Sequence, residues 1–311
     1  MLSANHIKDI ARAVGFDACG ITSASIVDTD TANGFKDWLS FSGQAQLRYM
    51  EQNVEKRLNP TLLVEGVKSI VAVQLAYKPG RRQSVDVPNV SCYAYGQDYH
   101  LVIKQKGKEI LHLLREQSEV QGQVFVDTAP ILEKYWAVKA GLGWIGKNSI
   151  LVSKRWGTYT FLGLIFLNEE VDRYDTPLLN VGCGDCSGCM EACPTGAIVK
   201  PMVVDAKKCI SYQTVECKTE GRDLNRELGM SRGKHCYIFG CDICQEVCPW
   251  NVKVQANEHE EFLPLPHLLD MTAEDWLKLD DEAFKEKFQN SSLRRAGLNK
   301  IKNSIKSVTP K

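Results

Sequence analysis

Four cysteines near the middle of the chain have the spacing of iron–sulfur ligands. They lie in the run CGDCSGCMEACP, residues 183–194, as Cys-x2-Cys-x2-Cys-x3-Cys-Pro. In this arrangement three thiolates bind one [4Fe–4S] cluster and the fourth binds a second cluster. A second run, CDICQEVCP at residues 241–249, repeats the motif without its first cysteine. Zinc sites rarely use four cysteines packed this tightly, so two [4Fe–4S] clusters are predicted rather than zinc.

The crossing of the fourth cysteine to the other cluster assigns all the ligands but one. Cluster one is predicted to bind Cys183, Cys186, Cys189 and Cys248. Cluster two is predicted to bind Cys193, Cys241, Cys244 and one further cysteine. A ferredoxin would place that last ligand three residues before Cys241, where this chain has Ile238.

Three other cysteines are candidates for the missing ligand, namely Cys209, Cys217 and Cys236. Cys236 is nearest to the second motif, but it stands five residues before Cys241, which is an unusual offset. Cys209 follows PTGAIVKPMVVDAKK, which is typical of a short hairpin that leaves the first motif and returns to it. The hairpin therefore favours Cys209, and the other two are expected not to bind a cluster.

The composition limits the kind of protein. The 311 residues suffice for a core domain and a smaller second one. With 38 basic and 38 acidic residues, the net charge gives no sign of a nucleic-acid or membrane partner. Most of the 12 cysteines are clustered, and in a reducing compartment such clusters are metal ligands rather than disulfides. With neither a signal peptide nor an apolar run of membrane-spanning length, a cytoplasmic protein without a membrane partner is expected.

Helices and strands must position these ligands and the group that accepts their electrons. The apolar, β-branched run at 68–77 predicts a buried strand, and the amphipathic run at 99–117 predicts a helix. A strand is predicted at 123–127, followed by a helix with Pro130 in its first turn and Gly141 as its stop.

We expect three regions along the chain. They are a catalytic core at 1–175, a two-cluster module at 176–255, and a C-terminal helical segment with a basic tail at 256–311. The charge-rich run LRRAGLNKIKNSIKSVTPK in that tail is typical of a solvated segment. Two clusters pass single electrons, so the core is expected to hold the terminal acceptor.

Beyond the cysteines, five stretches of the chain resemble the epoxyqueuosine reductase family. They are YAYGQDYH (93–100), VDTAPILEKYWAVKAGLGWIGKNS (126–149), CGDCSGCMEACPTGAIV (183–199), CISYQT (209–214) and GCDICQEVCPWN (240–251). KRLNP at 56–60 also fits. The resemblance keeps the family's order, whereas an unrelated ferredoxin module would share only the cysteines.

The resemblance implies an α+β protein, with a nitroreductase-like cobalamin-binding core followed by a ferredoxin-like double [4Fe–4S] module. The implied reaction reduces the epoxide of epoxyqueuosine in tRNA to queuosine, the last step of queuosine biosynthesis. Electrons would pass through both clusters to base-off cobalamin, and CISYQT carries the family's cluster ligand at Cys209. Many members continue into a C-terminal helical-repeat domain that helps to hold tRNA, whereas this chain ends at residue 311.

Asp127 is the candidate catalytic residue. The family's proton donor maps onto this aspartate, which follows the apolar run QVFV. A donor needs a pKa raised toward neutrality by burial or by a negative neighbour, and that is expected here. From the residues alone, an N-terminal cap of the following helix is an equal alternative, because Asp is a common capping residue.

Five further residues are candidate cobalamin contacts by the same resemblance, and they are Arg57, Cys92, Asn148, Ser149 and Ser211. An arginine such as Arg57 can reach amide or phosphate groups of the corrin. Cys92 has an equally plausible reading as a buried, inert thiol. His100 is interpreted as a structural or substrate-pocket histidine.

The implied partners are the anticodon loop of a tRNA and a low-potential electron donor such as flavodoxin or ferredoxin. Basic side chains that could contact tRNA phosphates are Arg222, Arg226, Arg232, Lys234, Arg294 and Arg295, with ordinary surface charges as the alternative. A cobalamin-dependent reductive dehalogenase is one rival interpretation, although no twin-arginine export signal is present. A non-catalytic electron-transfer module is another, and it would leave the resemblance of the core unexplained.

Overall fold

The computed structural model describes residues 1–218 and 236–308 of the chain. The helices described are α1 (Ala4–Ala13), α2 (Thr29–Ser40), α3 (Val54–Leu58), α4 (Tyr99–Arg115), α5 (Glu133–Lys139), α6 (Gly188–Ala192), α7 (Ile243–Glu246), α8 (Ala273–Lys278), α9 (Asp281–Lys287) and α10 (Leu298–Val308). The strands described are β1 (Ala18–Ser23), β2 (Ser69–Ala76), β3 (Asn89–Val90), β4 (Gly122–Phe125), β5 (Trp144–Ile145), β6 (Leu151–Val152), β7 (Thr160–Leu167), β8 (Ile198–Lys200), β9 (Val203–Val204) and β10 (Tyr237–Phe239). Within these residues, every helix is too short or too polar to cross a bilayer.

An antiparallel sheet in the order β1-β2-β7-β4 forms the centre of the core. Every residue of β2 is buried, as its apolar, β-branched sequence predicted. Because successive side chains of a strand point to opposite faces, Val71 and Val73 join one hydrophobic core while Ile70 and Ala72 join another. Helices on both faces of an antiparallel sheet make the predicted α+β class correct.

Helices α4 and α5 lie on opposite faces of this sheet and carry the polar residues of the candidate site. Ile103 and Ile110 of α4 pack into the core that also contains α1. Trp136 of α5 is fully buried in the other core. A Cβ at Gly20 of β1 would lie 2.0 Å from the Ala140 carbonyl oxygen, so only glycine lets the end of α5 approach so closely.

Helix α5 begins later than its sequence predicted. It starts at Glu133, three residues after Pro130. The segment before it cannot be helical, because Asp127 has a left-handed backbone with a φ of 58°. Short backbone hydrogen bonds from Thr128 to Val126 and from Ile131 to Ala129 hold this segment as a tight loop.

The basic C-terminal run is not a solvated tail, and that expectation is wrong. It forms α10, which packs against β10 and buries Ile301, Ile305 and Val308. These residues recur every three or four positions, so they share one helical face while most of the lysines take the others. The preceding run at 271–289, part of the predicted C-terminal helical segment, contains the separate helices α8 and α9.

The cysteine-rich module is built from two short helices and a hairpin. Helices α6 and α7 adjoin each other, and each is followed closely by one of the two Cys-Pro pairs. Strands β8 and β9 pair antiparallel and return the chain toward the first motif, as predicted. Cys209 follows this hairpin and precedes a π-helical turn, Tyr212–Glu216.

Candidate active site and cluster centres

The ligands predicted for cluster one surround a single open cavity. Its walls include Cys183, Cys186, Cys189 and Cys248. Trp250 forms part of the wall and packs edge-on against Trp144, with ring centroids 4.7 Å apart. Cys186 is exposed, so the site opens to solvent.

The donor set of this cavity fits an iron–sulfur cluster. Burial, and then the nearby thiols of Cys183, Cys186 and Cys248, raise the pKa of the Cys189 thiol. Thiols crowded in this way are stabilised as thiolates when iron binds them. The four thiols have the spacing of a [4Fe–4S] motif and share one cavity. Four thiols around a cavity therefore fit a cluster better than one zinc ion.

The ligands predicted for cluster two form a second, more buried group. Burial raises the pKa of the Cys244 thiol, and Cys209 and Cys193 are close enough to raise it further. Burial and then Cys244 and Cys209 raise the pKa of Cys241 well above its usual value. Cys209 thus lies among the other three predicted ligands, which supports it as the eighth.

The two other candidates for the eighth ligand have contacts of their own. The Cys217 Sγ lies 3.9 Å from the Gln46 Oε1, and Cys217 packs in the same small hydrophobic cluster as Cys209. The Cys236 Sγ lies 4.0 Å from the carbonyl oxygen of Val308 in α10. That neither cysteine binds a cluster remains a prediction.

A short loop at 146–149 links both cysteine groups to the core. Lys147 donates a hydrogen bond to the Gly184 carbonyl, between two ligands of cluster one, at 2.8 Å. Asn148 is buried, and its amide lies 3.5 Å from the Cys244 carbonyl of the second group. At the other end of the loop, the Ser149 carbonyl accepts a hydrogen bond of 2.6 Å from Lys134 of α5.

Ser149 also has features expected of a cofactor contact. Its backbone is left-handed, with a φ of 61°. Its hydroxyl is buried and has no hydrogen-bond partner among the described residues. Buried hydroxyls normally have a partner, so this one fits a polar group of a bound cofactor such as a corrin side amide. Its role as a cobalamin contact remains a prediction.

Asp127 lies in a recess bounded by α4, α5 and the C-terminal segment. Its side chain is 48 % exposed, and the half-exposed polar site that it forms with its neighbours on these three segments is called the recess below. The carboxylate does not cap α5, whose N-terminus has no side-chain cap. Its left-handed φ is tolerated by Asp better than by most residues, and such conformations cluster at functional sites.

Three side chains surround one oxygen of the Asp127 carboxylate. The Tyr99 hydroxyl donates a hydrogen bond of 2.9 Å to Oδ2. The His100 Nε2 lies 3.4 Å from Oδ2 and the Arg295 Nη1 lies 3.7 Å from it. Burial acts to raise the pKa of Asp127, but contacts with His100 and Tyr99 and the charge of Arg295 lower it below its usual value. The expectation of a raised pKa at Asp127 is therefore wrong in this conformation.

His100 is held in place by a second carboxylate. Its Nδ1 lies 2.7 Å from Asp98 Oδ1, and Asp98 also caps α4 by accepting the backbone N–H of His100. Burial alone would lower the pKa of His100, but its contacts with Asp127 and Asp98 raise it to about 9. His100 is therefore cationic at neutral pH and belongs to the pocket, as one of its two sequence interpretations had it.

Glu133, rather than Asp127, is the carboxyl group of this pocket whose pKa is raised. It accepts the backbone N–H of Asp127 at 2.5 Å. Burial, and then the charge of Asp127, raise the pKa of Glu133 to about 8. At neutral pH the proton of this carboxyl pair is thus held mainly by Glu133, in the conformation described.

The other predicted cobalamin contacts, Arg57, Cys92 and Ser211, differ in how deeply they are buried. Arg57 is 5 % exposed, and its guanidinium lies 3.1 Å from the Tyr49 carbonyl and 3.5 Å from that of Ile131. Cys92 is 4 % exposed in the main core, with its N–H bonded to Asp242 at 2.7 Å. Ser211 starts the turn after Cys209, and its backbone N–H contacts that thiol. Their roles as cobalamin contacts remain predictions.

Sequence reasoning missed the roles of Glu133 and Arg295. Glu133 is six residues from Asp127 along the chain. The left-handed bend at Asp127 brings the backbone N–H of Asp127 to the Glu133 side chain. Arg295 had been grouped with surface charges that could bind tRNA, but it reaches the carboxylate of Asp127. Of the other five basic candidates, Arg294 is described and exposed, whereas Arg222, Arg226, Arg232 and Lys234 lie outside the described residues.

Two family profiles match the chain. One is described as epoxyqueuosine reductase QueG, DUF1730, and covers residues 57–128. The other is described as a 4Fe-4S double cluster binding domain and covers residues 182–251. The second match spans all eight predicted cluster ligands, from Cys183 to Cys248, and includes Cys209.

Curated relatives match along nearly the whole chain. An epoxyqueuosine reductase of Cellulophaga algicola is 41 % identical over 301 residues, which is 96 % of this chain and 95 % of the relative. One from Cyclobacterium marinum is 42 % identical over 293 residues, covering 93 % and 91 %. One from Pseudomonas aeruginosa is 34 % identical over 301 residues, covering 94 % and 81 %.

Solved structures share the fold. A crystal structure of an epoxyqueuosine reductase with an epoxyqueuosine-modified tRNA-Tyr stem loop is similar with a TM-score of 0.86 and 28 % identity, covering 97 % of this chain and 80 % of that one. A Bacillus subtilis structure, in which an aspartate-bearing catalytic loop is swung out of the active site, gives a TM-score of 0.85 at 28 % identity with the same coverage.

Proposed function

The chain belongs to the epoxyqueuosine reductase family, and from that premise we propose that it reduces the epoxide of epoxyqueuosine in tRNA to give queuosine. The matched double-cluster domain supports two [4Fe–4S] clusters. When bound, the clusters would pass single electrons to base-off cobalamin, which would deliver them to the epoxide carbon. The residues of this chain bind these groups, position the substrate and supply the proton.

One observation carries the proposal most directly. The loop at 146–149 contacts both cysteine groups through Lys147 and Asn148, and it contacts α5 through Ser149. This one short segment therefore connects the predicted ligands of both clusters to the helix that carries Glu133. A protein that only transferred electrons would have no need of a polar pocket beside its inner cluster.

The two clusters have different exposures, which suggests the order of electron flow. Cys186 of cluster one is exposed, whereas Cys244 of cluster two is partly buried and its carbonyl faces Asn148. An external donor would therefore reach cluster one, and cluster two would lie next to cobalamin. A small low-potential carrier such as a flavodoxin or a ferredoxin suits an exposed cluster.

The candidate cobalamin contacts come from four separate parts of the chain. Asn148 and Ser149 come from the linking loop, and Ser211 adjoins the cluster-two ligand Cys209. Arg57 anchors the loop that carries Asp127 through the Ile131 carbonyl, and Cys92 lies deeper in the core. The unpartnered Ser149 hydroxyl is the feature that best supports a polar cofactor at this position.

The proton comes from Asp127 in this proposal. Opening an epoxide leaves an alkoxide that must be protonated before loss of the hydroxyl, so an acid must stand beside the reacting carbon. Asp127 has one oxygen shared by Tyr99, His100 and Arg295, and it is partly accessible from the recess. Its low pKa in this conformation requires that substrate binding change its surroundings before it acts as an acid.

The substrate side of the proposal is a modified tRNA, as in the relative solved with a modified stem loop. The base would enter the recess beside Asp127, and the RNA backbone would remain at its mouth. Because tRNA is the substrate, we place the activity in the cytoplasm.

The deciding experiment is nucleoside mass analysis of tRNA that contains epoxyqueuosine. The tRNA is incubated anaerobically with reconstituted protein and a strong reductant, with and without cobalamin. Conversion to queuosine only in the presence of cobalamin is expected. If protein with both clusters and bound cobalamin gives no conversion, the proposed reaction is wrong.

A further inference from the structure

Arg295 lies beside Asp127 in the candidate active site and pairs with two carboxylates from distant parts of the chain. Its Nη1 lies 3.7 Å from Asp127 Oδ2, and its Nη2 lies 3.4 Å from Glu216 Oε1. Glu216 ends the π-helical turn that follows the cluster ligand Cys209. The guanidinium therefore joins the catalytic loop, the cluster module and the C-terminal segment at one point.

This bridge is accessible and has loose geometry. The Arg295 side chain is 43 % exposed, and both of its N–O distances exceed those of a well-formed charge-assisted hydrogen bond. Half-exposed ion pairs of this kind contribute little to stability. A planar guanidinium binds the oxygens of a phosphodiester in a two-pronged geometry that neither carboxylate achieves here.

We propose that Arg295 is an RNA-operated latch, which pairs with Asp127 and Glu216 in the free enzyme and moves to a backbone phosphate of the tRNA when the modified base enters the recess. This inference rests on the proposed function and deepens it. The exchange removes a positive charge from Asp127 at the moment when that residue has to become an acid. Specific RNA binding and preparation of the proton donor are thus coupled through one side chain.

The other polar groups around Asp127 are held by contacts of their own, including Lys134, which donates a hydrogen bond to the Ser149 carbonyl. His100 is held by Asp98, Tyr99 stacks on Phe161 with ring centroids 4.4 Å apart, and Glu133 belongs to α5. Arg295 instead belongs to a short turn, Ser292–Arg295, and its own side chain is 43 % exposed. It is therefore the cation near Asp127 whose movement disturbs the fold least.

The adjacent Arg294 provides a matched comparison. It is also exposed, but its guanidinium donates a hydrogen bond of 3.0 Å to the Gln289 carbonyl instead of pairing with a carboxylate of the pocket. Loss of either arginine removes the same charge from the same surface. Only Arg295 has carboxylates that compete with RNA for its guanidinium.

The test is a double-mutant cycle on RNA binding by the cluster-loaded, cobalamin-loaded enzyme. The probe is an anticodon stem loop that carries queuosine, so binding is measured without turnover. Glu216→Gln removes one competing carboxylate, and we expect it to tighten binding about threefold, which is the scale of a partly exposed ion pair. Arg295→Gln should weaken binding about tenfold and lower the salt dependence by about one phosphate contact.

The coupling between these two changes distinguishes a latch from general electrostatics. In an Arg295→Gln background, Glu216→Gln should no longer tighten binding, whereas in an Arg294→Gln background it should still do so. If the gain from Glu216→Gln is the same in both backgrounds, the latch is wrong. Iron content and the cluster absorbance of each variant show whether the cluster module is intact.

Turnover and cobalamin binding complete the test. Arg295→Gln should raise the KM for modified tRNA about tenfold and leave kcat within about threefold, and Arg295→Lys should restore part of the affinity. Cobalamin also carries a phosphodiester, so its affinity is titrated separately by absorbance. Weakened cobalamin binding with unchanged RNA binding would overturn the RNA latch. RNA binding that shows the expected coupling without conversion to queuosine would instead refute only the proposed reaction.

Discussion

The cluster module and the active-site recess are assembled in opposite ways. The cluster ligands come mainly from two short runs, 183–193 and 241–248, in which spacing and two short helices fix the thiols. The recess takes its polar groups from far apart in the chain, including His100, Asp127, Glu133 and Arg295. A metal cage is therefore specified locally, whereas the recess depends on the whole fold.

This difference predicts different responses to mutation. Removal of a thiolate leaves a cluster without one of its ligands, so the response should be all or none. Removal of one group from the recess leaves the other contacts to Asp127 in place, so the responses should be graded. The predictions below test this contrast, beginning with the largest expected effect.

Cys209→Ala should abolish cluster two and with it all turnover. Because Cys209 is the ligand that the second motif does not itself supply, iron content should fall from about eight to about four per chain. Iron analysis and low-temperature electron paramagnetic resonance after reduction give the measurement. Cys236→Ala, whose thiol contacts the Val308 carbonyl in place of the cluster thiols, is the control and should retain both clusters. Full iron content in Cys209→Ala would show that the eighth ligand is another group.

Asp127→Asn should reduce turnover about 10²- to 10⁴-fold, the range expected for loss of a general acid. Asn is nearly isosteric and tolerates the left-handed backbone that Asp127 adopts, so the fold should be retained. Both clusters and bound cobalamin should remain, as judged by iron content and by absorbance. Full activity in this variant would remove Asp127 from the mechanism.

The cluster ligands could be predicted from the sequence more completely than the surroundings of Asp127. Cluster spacing gave the ligands and the hairpin pointed to Cys209, because these relations are local. The position of Asp127 after an apolar strand was also predicted, but its low pKa was not. That pKa depends on Tyr99 and His100 at the start of α4 and on Arg295 near the C-terminus, which only tertiary packing brings together. The same limit explains why the C-terminal run was expected to be solvated, since its apolar face is recognised only against β10.

Glu133→Gln should alter the pH dependence of stability. The pKa of Glu133 is raised from 4.5 to about 8, so the native state keeps a proton that the unfolded chain loses over this interval. Stability associated with this group is therefore full below pH 4.5 and is lost as the pH rises to about 8. Glutamine still accepts the Asp127 N–H but does not titrate, so the melting temperature of the variant relative to the parent should rise across the interval, by about 2 °C or more.

Anaerobic thermal melts of both proteins at a series of pH values give that measurement. Glu261→Gln is a suitable control, because Lys106 pairs with Glu261 away from the recess and the pKa of that carboxyl is lowered instead of raised. A constant difference in melting temperature at every pH would show that Glu133 does not titrate in this interval.

Tyr99→Phe should have the smallest effect and the one most specific to the recess. It removes a hydrogen bond of 2.9 Å that favours the charged form of Asp127, while the ring can still stack on Phe161. The pKa of Asp127 should therefore rise, and the pH above which single-turnover reduction slows should move upward, with the rate at lower pH changed by less than about tenfold. Tyr93→Phe, which removes a neighbouring phenol packed edge-on against Tyr99, should leave that pH unchanged. The alternative result is a lower rate at every pH, with no change in the pH above which the rate falls. Tyr99 would then only order the pocket, and His100 and Arg295 alone would set the charge of Asp127.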